Sequence, residues 1–163
     1  MVSVDDYTSL GYVLELLAQS ECHRQFELGD YFCTEILPPL SCNQVRFYVT
    51  PEGWPTAMLT WAWLSEQVER DVHATGRALG KEEWASGDRL FFNDWVTPYG
   101  NIREVLHDMT HHHFPNEVAT SLRRRHDGSV HSINRWTGVN FRRKKRGTSK
   151  FSHQRYEGVS GKV

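Results

Sequence analysis

The sequence has few features that would hold it in a membrane. No stretch approaches the ~18 consecutive apolar residues that a membrane-spanning helix requires. The first ten residues carry Asp5 and Asp6, where a secretory signal would carry basic residues. We therefore expect a cytoplasmic protein without a membrane span.

Cysteine is scarce as well. The three cysteines form no CxxC pair, which favours three reduced and largely packed thiols. Cys22 directly precedes His23, so a cysteine nucleophile is an alternative, although neighbours in sequence rarely face each other.

Several common enzyme motifs are missing. The patterns GxxxxGK[ST], GxGxxG and GxSxG do not occur, which argues against NTPases, dinucleotide-binding enzymes and α/β-hydrolases. A length of 163 residues favours one domain with a core of its own.

Charge is distributed unevenly along the chain. Residues 142–163 hold eight Lys or Arg against Glu157 alone, whereas residues 1–141 hold 11 Lys or Arg against 19 Asp or Glu. This contrast predicts one acidic domain over 1–141 and a basic, flexible C-terminal tail over 142–163.

The order of the predicted elements indicates a mixed fold. Apolar residues at helical spacing predict a helix over 8–19, and Ser20 is placed to cap a second short helix over 21–26. The further predicted elements are a rigid connector over 37–40, a hairpin over 44–63, a helix from Ser65 to Gly76, a helical turn over 82–84, a strand over 89–97, a helix over 101–114, one or two helical turns over 117–124 and a strand over 130–136. We predict an α/β (α+β) domain, with a mixed, largely antiparallel sheet and flanking helices.

Asp94 lies inside the most apolar of these strands. An ionised carboxylate buried without a partner costs several kcal/mol, so a partner is expected. Strand alternation predicts Phe92 and Asp94 on one face and Asn93 and Trp95 on the other. Two roles remain open for Asp94: a structural cap or ion pair, and a carboxylate that orients a catalytic imidazole.

His23 is a separate candidate for proton transfer. It follows Ser20 at the start of the short predicted helix, with Arg24 beside it. Imidazole exchanges protons near neutral pH, and a histidine base held by an aspartate is a common arrangement. A surface histidine without a catalytic role is the alternative.

A histidine cluster and two basic runs raise further alternatives. His107 and His111 share a helix face and could bind one metal, but no third ligand is identifiable, so a polar face is favoured and no metal site is predicted. The runs 123–125 and 142–146 are basic, but the body is acidic and no nucleic-acid motif is recognisable, so no nucleic-acid partner is expected. A solvated surface and the docking of an acidic protein partner remain open.

Taken together, these stretches resemble the toxin-activating lysine acyltransferases, the haemolysin-activating proteins encoded beside RTX toxins. The matching stretches are LGYVLELLAQSECHRQF (10–26), EILPPLSCNQVRFYV (35–49), GWPTAMLTWAWLS (53–65), EEWASGDRLFFNDWVTPYG (82–100) and FPNEV (114–118). The SGDR element with its strand, and Ser-x-x-His-Arg after an N-terminal helix, are the most specific of them.

The resemblance implies a fold like that of the Gcn5-related N-acetyltransferases. It implies transfer of a fatty acyl chain from acyl carrier protein to internal lysines of a protoxin, with no bound cofactor. His23 and Asp94 are implied to be the catalytic pair. A homodimer is a further expectation from the family. The candidate substrate-binding residues are Ser20, Arg24, Arg123 and Arg124.

Two versions of the chemistry follow from the resemblance. In one, His23 is a general base that activates the lysine amine; in the other, it carries the acyl group as a transient acyl-His23 intermediate. A catalytically inactive module that binds the carrier or another partner is the alternative function.

Overall fold

A five-stranded sheet organises the described part of the chain, residues 5–141, in the computed structural model. Its strands are β1 (Val45–Val49), β2 (Pro55–Leu64), β3 (Arg89–Val96), β4 (Val118–Arg124) and β5 (Val130–Thr137). They lie side by side in chain order, and every neighbouring pair is antiparallel except β3 and β4, which run parallel. The predicted mixed, largely antiparallel sheet with flanking helices is confirmed. Likeness to the Gcn5-related N-acetyltransferases stays a prediction, and the predicted basic tail lies outside the described residues.

Helices connect and cover these strands. The helices are α1 (Asp6–Gln19), α2 (Leu28–Tyr31), α3 (Leu37–Ser41), α4 (Glu66–Thr75) and α5 (Ile102–Asp108). Short 3-10 segments span His23–Gln25 and Lys81–Glu83. π-helical turns span Phe32–Ile36, between α2 and α3, and Met109–His113, after α5. Within the described range, none of the helices combines the length and the apolar character needed to cross a bilayer.

The ends of α4 confirm the predicted boundaries. The Ser65 hydroxyl accepts a hydrogen bond from the Val68 backbone N–H at 3.3 Å, as an N-cap does. Gly76 ends the helix with φ +73°, a left-handed conformation that favours glycine.

Two predicted segments have a different structure. The predicted rigid connector at 37–40 belongs to α3, because its prolines fall in the first helical turn, where a missing N–H costs little. The predicted helical turns over 117–124 are wrong, since this segment forms β4. Ala119 and Ser121 alternate with less buried neighbours, and pairing with both β3 and β5 outweighs the local helical preference.

The two faces of the sheet carry separate parts of the core. On one face, Trp61, Leu90 and Phe92 pack against Val105 of α5 and Met109. On the other face, Met58 and Val96 pack against Val13 and Leu16 of α1, and Phe91 packs against Val72 of α4. The segment from 20 to 36 continues along this second face.

The parallel pair β3–β4 is short. Its register covers only Leu90–Phe92 on β3 and Ala119–Ser121 on β4, although β3 continues to Val96 and β4 to Arg124. The two strands therefore separate toward their C-terminal ends. A cavity of about 780 Å³ lies at this separation.

Candidate active site

A one-residue irregularity in β3 places Asp94 at this cavity. Thr60 of β2 pairs with Asp94 while Trp61 pairs with Phe92, so Asn93 is an extra residue in β3. Such a bulge directs two successive side chains to one side. Asn93 and Asp94 accordingly point to the same side, where Asn93 contacts Glu35 and Asp94 contacts His23. Phe92 and Trp95 instead pack together, with ring centroids 5.2 Å apart. The predicted alternation of these four side chains is therefore wrong.

His23 reaches the same point from the end of α1. The Ser20 carbonyl accepts hydrogen bonds from the backbone N–H groups of His23 (3.2 Å) and Arg24 (3.1 Å), which turns the chain sharply. The Ser20 hydroxyl lies 2.6 Å from His23 Nδ1. Ser20 was expected to cap a short helix with this hydroxyl; instead the segment is a 3-10 turn and the hydroxyl contacts the imidazole.

The imidazole and the carboxylate meet across 71 residues of sequence. His23 Nε2 lies 3.3 Å and 3.2 Å from the two Asp94 carboxylate oxygens. The His23 side chain is 6% exposed and the Asp94 side chain 23% exposed. The tautomer with its proton on Nε2, toward Asp94, leaves Nδ1 to accept from the Ser20 hydroxyl.

Two further donors satisfy the carboxylate of Asp94. The Tyr31 hydroxyl donates to one oxygen, and the Trp95 backbone N–H donates to the other at 2.8 Å. Burial and the charge of Asp94 raise the pKa of Tyr31 well above its usual range, so the phenol remains a neutral donor. Asp94 therefore has the partners that a half-buried carboxylate needs.

The pKa values of the pair move in the directions expected of an ion pair. Burial acts to lower the pKa of His23, but the hydrogen bond and the charge of Asp94 outweigh it and raise this pKa above 6.5. Burial acts to raise the pKa of Asp94, but the hydrogen bonds and charge of His23, and then the Tyr31 bond, lower it below 3.8. The imidazole is thus a stronger base than an isolated histidine.

Aromatic rings hold the imidazole in place. The Phe26 and Tyr31 rings are stacked with centroids 5.2 Å apart, and each meets the His23 ring edge-on at 5.8 Å. Phe26 is 54% exposed and lines the cavity. The sequence prediction did not include Phe26 or Tyr31, because their spacing gives no sign that they face Asp94.

The predicted substrate-binding residues have different environments. Arg123 and Arg124, at the end of β4, line the cavity, and Arg124 Nε also donates to the Gly76 carbonyl at 2.8 Å. Ser20 contacts His23. Arg24 is not among the residues that line this cavity; its Nε donates to the Ala18 carbonyl at 2.7 Å.

A second groove continues from the cavity along its basic side. Its volume is also about 780 Å³, and it is lined by Arg123–Arg125, His126 and His131 together with Cys22, Phe26 and one acidic residue, Asp127. The two spaces share Cys22, Phe26, Arg123 and Arg124.

The cysteines are free but not packed. Cys22, Cys33 and Cys42 are all exposed, which contradicts the expectation of packed thiols. Cys22 Sγ lies 3.4 Å from His23 Nδ1 and 3.4 Å from the Ser20 hydroxyl, so these sequence neighbours do face each other. The tight turn after α1 brings them together, and the cysteine nucleophile stays an alternative to be tested.

The histidine cluster is a separate surface. The rings of His107 and His111 stack with centroids 4.0 Å apart, and His111 Nδ1 lies 3.0 Å from the His107 carbonyl oxygen. Within residues 5–141, no group of three or more His, Cys, Asp or Glu side chains is arranged to hold a metal ion.

Comparison with known proteins identifies the family. The family model of the RTX toxin acyltransferases (HlyC) matches residues 2–137. This chain belongs to the RTX toxin acyltransferase family. The predicted resemblance is confirmed, as is the prediction that the chain is a member of an acyltransferase enzyme family.

Individual relatives have names that agree with this assignment. The RTX-I toxin-activating lysine-acyltransferase ApxIC of Actinobacillus pleuropneumoniae is 30% identical over 83% of this chain and 77% of its own length. The lysine-acyltransferase RtxC of Vibrio cholerae is 30% identical over 61% of this chain. The protein-lysine myristoyltransferase HlyC of Escherichia coli is 33% identical over 70% of it. The alignments with RtxC and HlyC each span 65% of those proteins, slightly less than two thirds.

Proposed function

We propose that this chain is a protein-lysine acyltransferase that transfers a fatty acyl group from acyl carrier protein to internal lysines of an RTX-type protoxin in the cytoplasm. The observation that carries the proposal is the hydrogen-bonded pair of His23 and Asp94, at 3.2 Å, on the wall of a cavity in a member of this family.

The pair supplies the proton transfer that amide formation requires. A lysine amine has an ordinary pKa near 10.4, so it arrives protonated and must lose a proton before it can attack. His23 accepts that proton, and Asp94 stabilises the resulting imidazolium and fixes the ring. Because Asp94 holds the Nε2 proton, Nδ1 is the nitrogen that takes up a proton, and the Ser20 hydroxyl that donates to it relays the substrate proton: it passes its own proton to Nδ1 and receives one from the amine.

The acyl group passes directly from the carrier thioester to the lysine amine. The free amine attacks the thioester carbonyl and a C–N bond forms. Backbone N–H groups stabilise the resulting oxyanion. The candidate donors are those of β3 after Phe92, where β3 no longer pairs with β4. The C–S bond then breaks, and the carrier thiolate takes the proton from the His23 imidazolium. The second amine proton leaves to solvent as the amide forms. An acyl-His23 intermediate is the competing route.

The basic side of the cavity is suited to the donor. Arg123 and Arg124 line both the cavity and the second groove, and Arg125 extends the positive charge along the groove. Acyl carrier proteins are acidic, so these arginines would attract one and direct its prosthetic arm toward His23.

Charge reversal tests the donor side of the proposal. Arg123→Glu with Arg124→Glu should raise the KM for acyl carrier protein on the order of ten-fold or more, and should weaken its dependence on salt. An unchanged KM and salt dependence in the folded double variant would contradict docking at these arginines.

The activity itself is tested by co-expression and mass spectrometry. This chain is expressed with acyl carrier protein and with a glycine- and aspartate-rich repeat protein as the candidate protoxin. A lysine-linked fatty acyl mass on the protoxin, missing when this chain is omitted, is the expected result. An unmodified protoxin in the presence of folded chain and charged carrier would contradict the proposed reaction and favour a non-catalytic binding module.

A further inference from the structure

Glu35 is a half-buried carboxylate that neither the His23–Asp94 chemistry nor the arginine docking surface uses. It lies on the π-helical turn Phe32–Ile36 and lines the same cavity as His23 and Asp94. π-helical turns occur frequently at functional sites. Glu35 therefore lies at the reaction centre without an assigned part in the reaction.

The environment of Glu35 differs from that of Asp94. Asp94 accepts hydrogen bonds from Tyr31 and the Trp95 N–H and is paired with His23. Among the described side chains of residues 5–141, Glu35 has one hydrogen-bond partner, the neutral Asn93 amide, which donates to Oε2 at 2.6 Å. Across the same range, no basic nitrogen lies within 4.0 Å of it. Its negative charge therefore has no ion-pair partner among the described groups, although the charge of Arg124 stabilises it from farther away.

Both backbone irregularities of the site contribute to this contact. The extra residue in β3 directs Asn93 toward the helices, and the π-helical turn carries Glu35 to meet it. The same side of the cavity also carries Glu27 and Asp30, whereas Arg123 and Arg124 lie at the end of β4. The cavity thus has an acidic side and a basic side.

The two substrates of the proposed reaction have opposite charges. The carrier is acidic, and the acceptor lysine is a cation until it loses its proton. We propose that Glu35 is a specificity-determining residue that receives the ε-ammonium group of the acceptor lysine and holds it beside His23. This inference rests on the proposed function and adds to it the acceptor side of the cavity.

The charge of Glu35 would also make the site bind the substrate lysine more strongly than the acylated product. An ammonium group forms a charge-assisted hydrogen bond with a carboxylate, which is about twice as strong as a neutral one. The amide product carries no charge, so the attraction disappears when the acyl group is transferred. Glu35 therefore favours binding of unmodified lysine and release of the acylated one.

The pH dependence of Glu35 gives the inference a distinctive signature. Burial raises the pKa of Glu35, the Asn93 hydrogen bond acts to lower it, the charge of Asp94 raises it further and the charge of Arg124 acts to lower it, with a raised pKa as the net result. Only the ionised carboxylate attracts an ammonium group, so acceptor affinity is lost as the pH falls through this raised pKa. A raised carboxylate pKa also stabilises the fold below the unfolded pKa, and that contribution is lost as the pH rises through the folded value.

Glu35→Gln is the sharpest substitution. It keeps an oxygen for the Asn93 amide and removes the half-buried charge, so the melting temperature at neutral pH should equal or exceed that of the wild type. The KM for a peptide containing the unmodified acceptor lysine should rise on the order of ten-fold, with an unchanged KM for acyl carrier protein. Its acceptor KM should no longer depend on pH in the range where Glu35 titrates.

Two companion variants complete the design. Glu82→Gln removes an exposed charge that does not line the cavity and should behave as the wild type. Asn93→Ala removes the donor that lowers the Glu35 pKa, so the loss of acceptor affinity should move to higher pH.

The outcomes separate this inference from the proposed function. If the wild type acylates lysine but the acceptor KM of Glu35→Gln matches that of Glu82→Gln, the inference is wrong and the function stands. A lower melting temperature with both KM values altered would make Glu35 a structural residue and would also overturn the inference. If the wild type acylates no lysine, the proposed function fails, and the inference fails with it.

Discussion

His23 and the histidine cluster near the end of α5 differ in their burial and in the residues that they contact. His23 is a single imidazole, 6% exposed, hydrogen-bonded to a carboxylate and enclosed by aromatic rings. His107, His111 and His112 are three neighbouring rings on α5 and the π-helical turn after it, and they lie mostly against one another. The comparison shows that a carboxylate partner and burial, rather than a high local number of histidines, mark the candidate base.

The largest difference between the groups should emerge in the rate of acyl transfer. His23→Ala and Asp94→Ala should each lower kcat by roughly 10²–10⁴-fold, the usual contribution of general base catalysis. His111→Ala is the matched control and should change the rate less than two-fold. Initial rates of protoxin acylation with saturating carrier measure all three. Equal losses in His23→Ala and His111→Ala would remove the distinction between the groups.

A change in pH dependence should follow from the loss of the Asp94 charge. The hydrogen bond and the charge of Asp94 raise the pKa of His23, so Asp94→Asn should shift the midpoint of the pH–rate profile to lower pH, in addition to lowering the maximum rate. The same pair stabilises the fold: the contribution of His23 is fully present below its unfolded pKa and is lost as the pH rises through the raised folded value. A midpoint that does not move in Asp94→Asn would show that another group controls the profile.

A smaller effect is expected from the hydroxyl of Tyr31. Tyr31→Phe keeps the ring beside His23 and removes one donor to Asp94, which should cost about 1.5–3 kcal/mol in the free energy of unfolding at neutral pH. The pKa of Asp94 should rise, because the Tyr31 bond acts to lower it. Urea denaturation and the acylation rate are the measurements. An unchanged free energy of unfolding would mean that this hydroxyl contributes nothing net to the site.

The smallest effect is expected from removing metal ions. In residues 5–141 the histidine cluster does not form a three-ligand site, so EDTA should leave the acylation rate unchanged within error. A rate that falls with EDTA and returns with added Zn²⁺ would contradict this prediction and would indicate that acyl transfer requires a metal ion.

The sequence predicted elements with a regular period more successfully than the contacts of the site. Helix α1 follows an apolar period of 3.6, β1 alternates and β3 begins with a continuous apolar run; these elements were all predicted. Strand β4 was misread because its sequence is not strongly strand-like, and pairing with two neighbouring strands decides its conformation.

The site depends on irregularities that leave no period to detect. The bulge at Asn93 and the π-helical turn Phe32–Ile36 alter the chain by about one residue each. Without them, the directions of Asn93 and Glu35 cannot be predicted. The pairing of His23 with Asp94 was expected only from the family resemblance, since 71 residues separate the two in sequence.

The central claim is that His23, supported by Asp94, is the base for acyl transfer. A histidine-resolved NMR titration of the wild type, compared with its pH–rate profile for lysine acylation, tests this most directly. We predict that His23 titrates above 6.5, higher than His73 and His113, whose pKa values burial lowers, and that the rate rises with the His23 midpoint. A His23 pKa below 6.5, or a rate profile independent of it, would contradict the account.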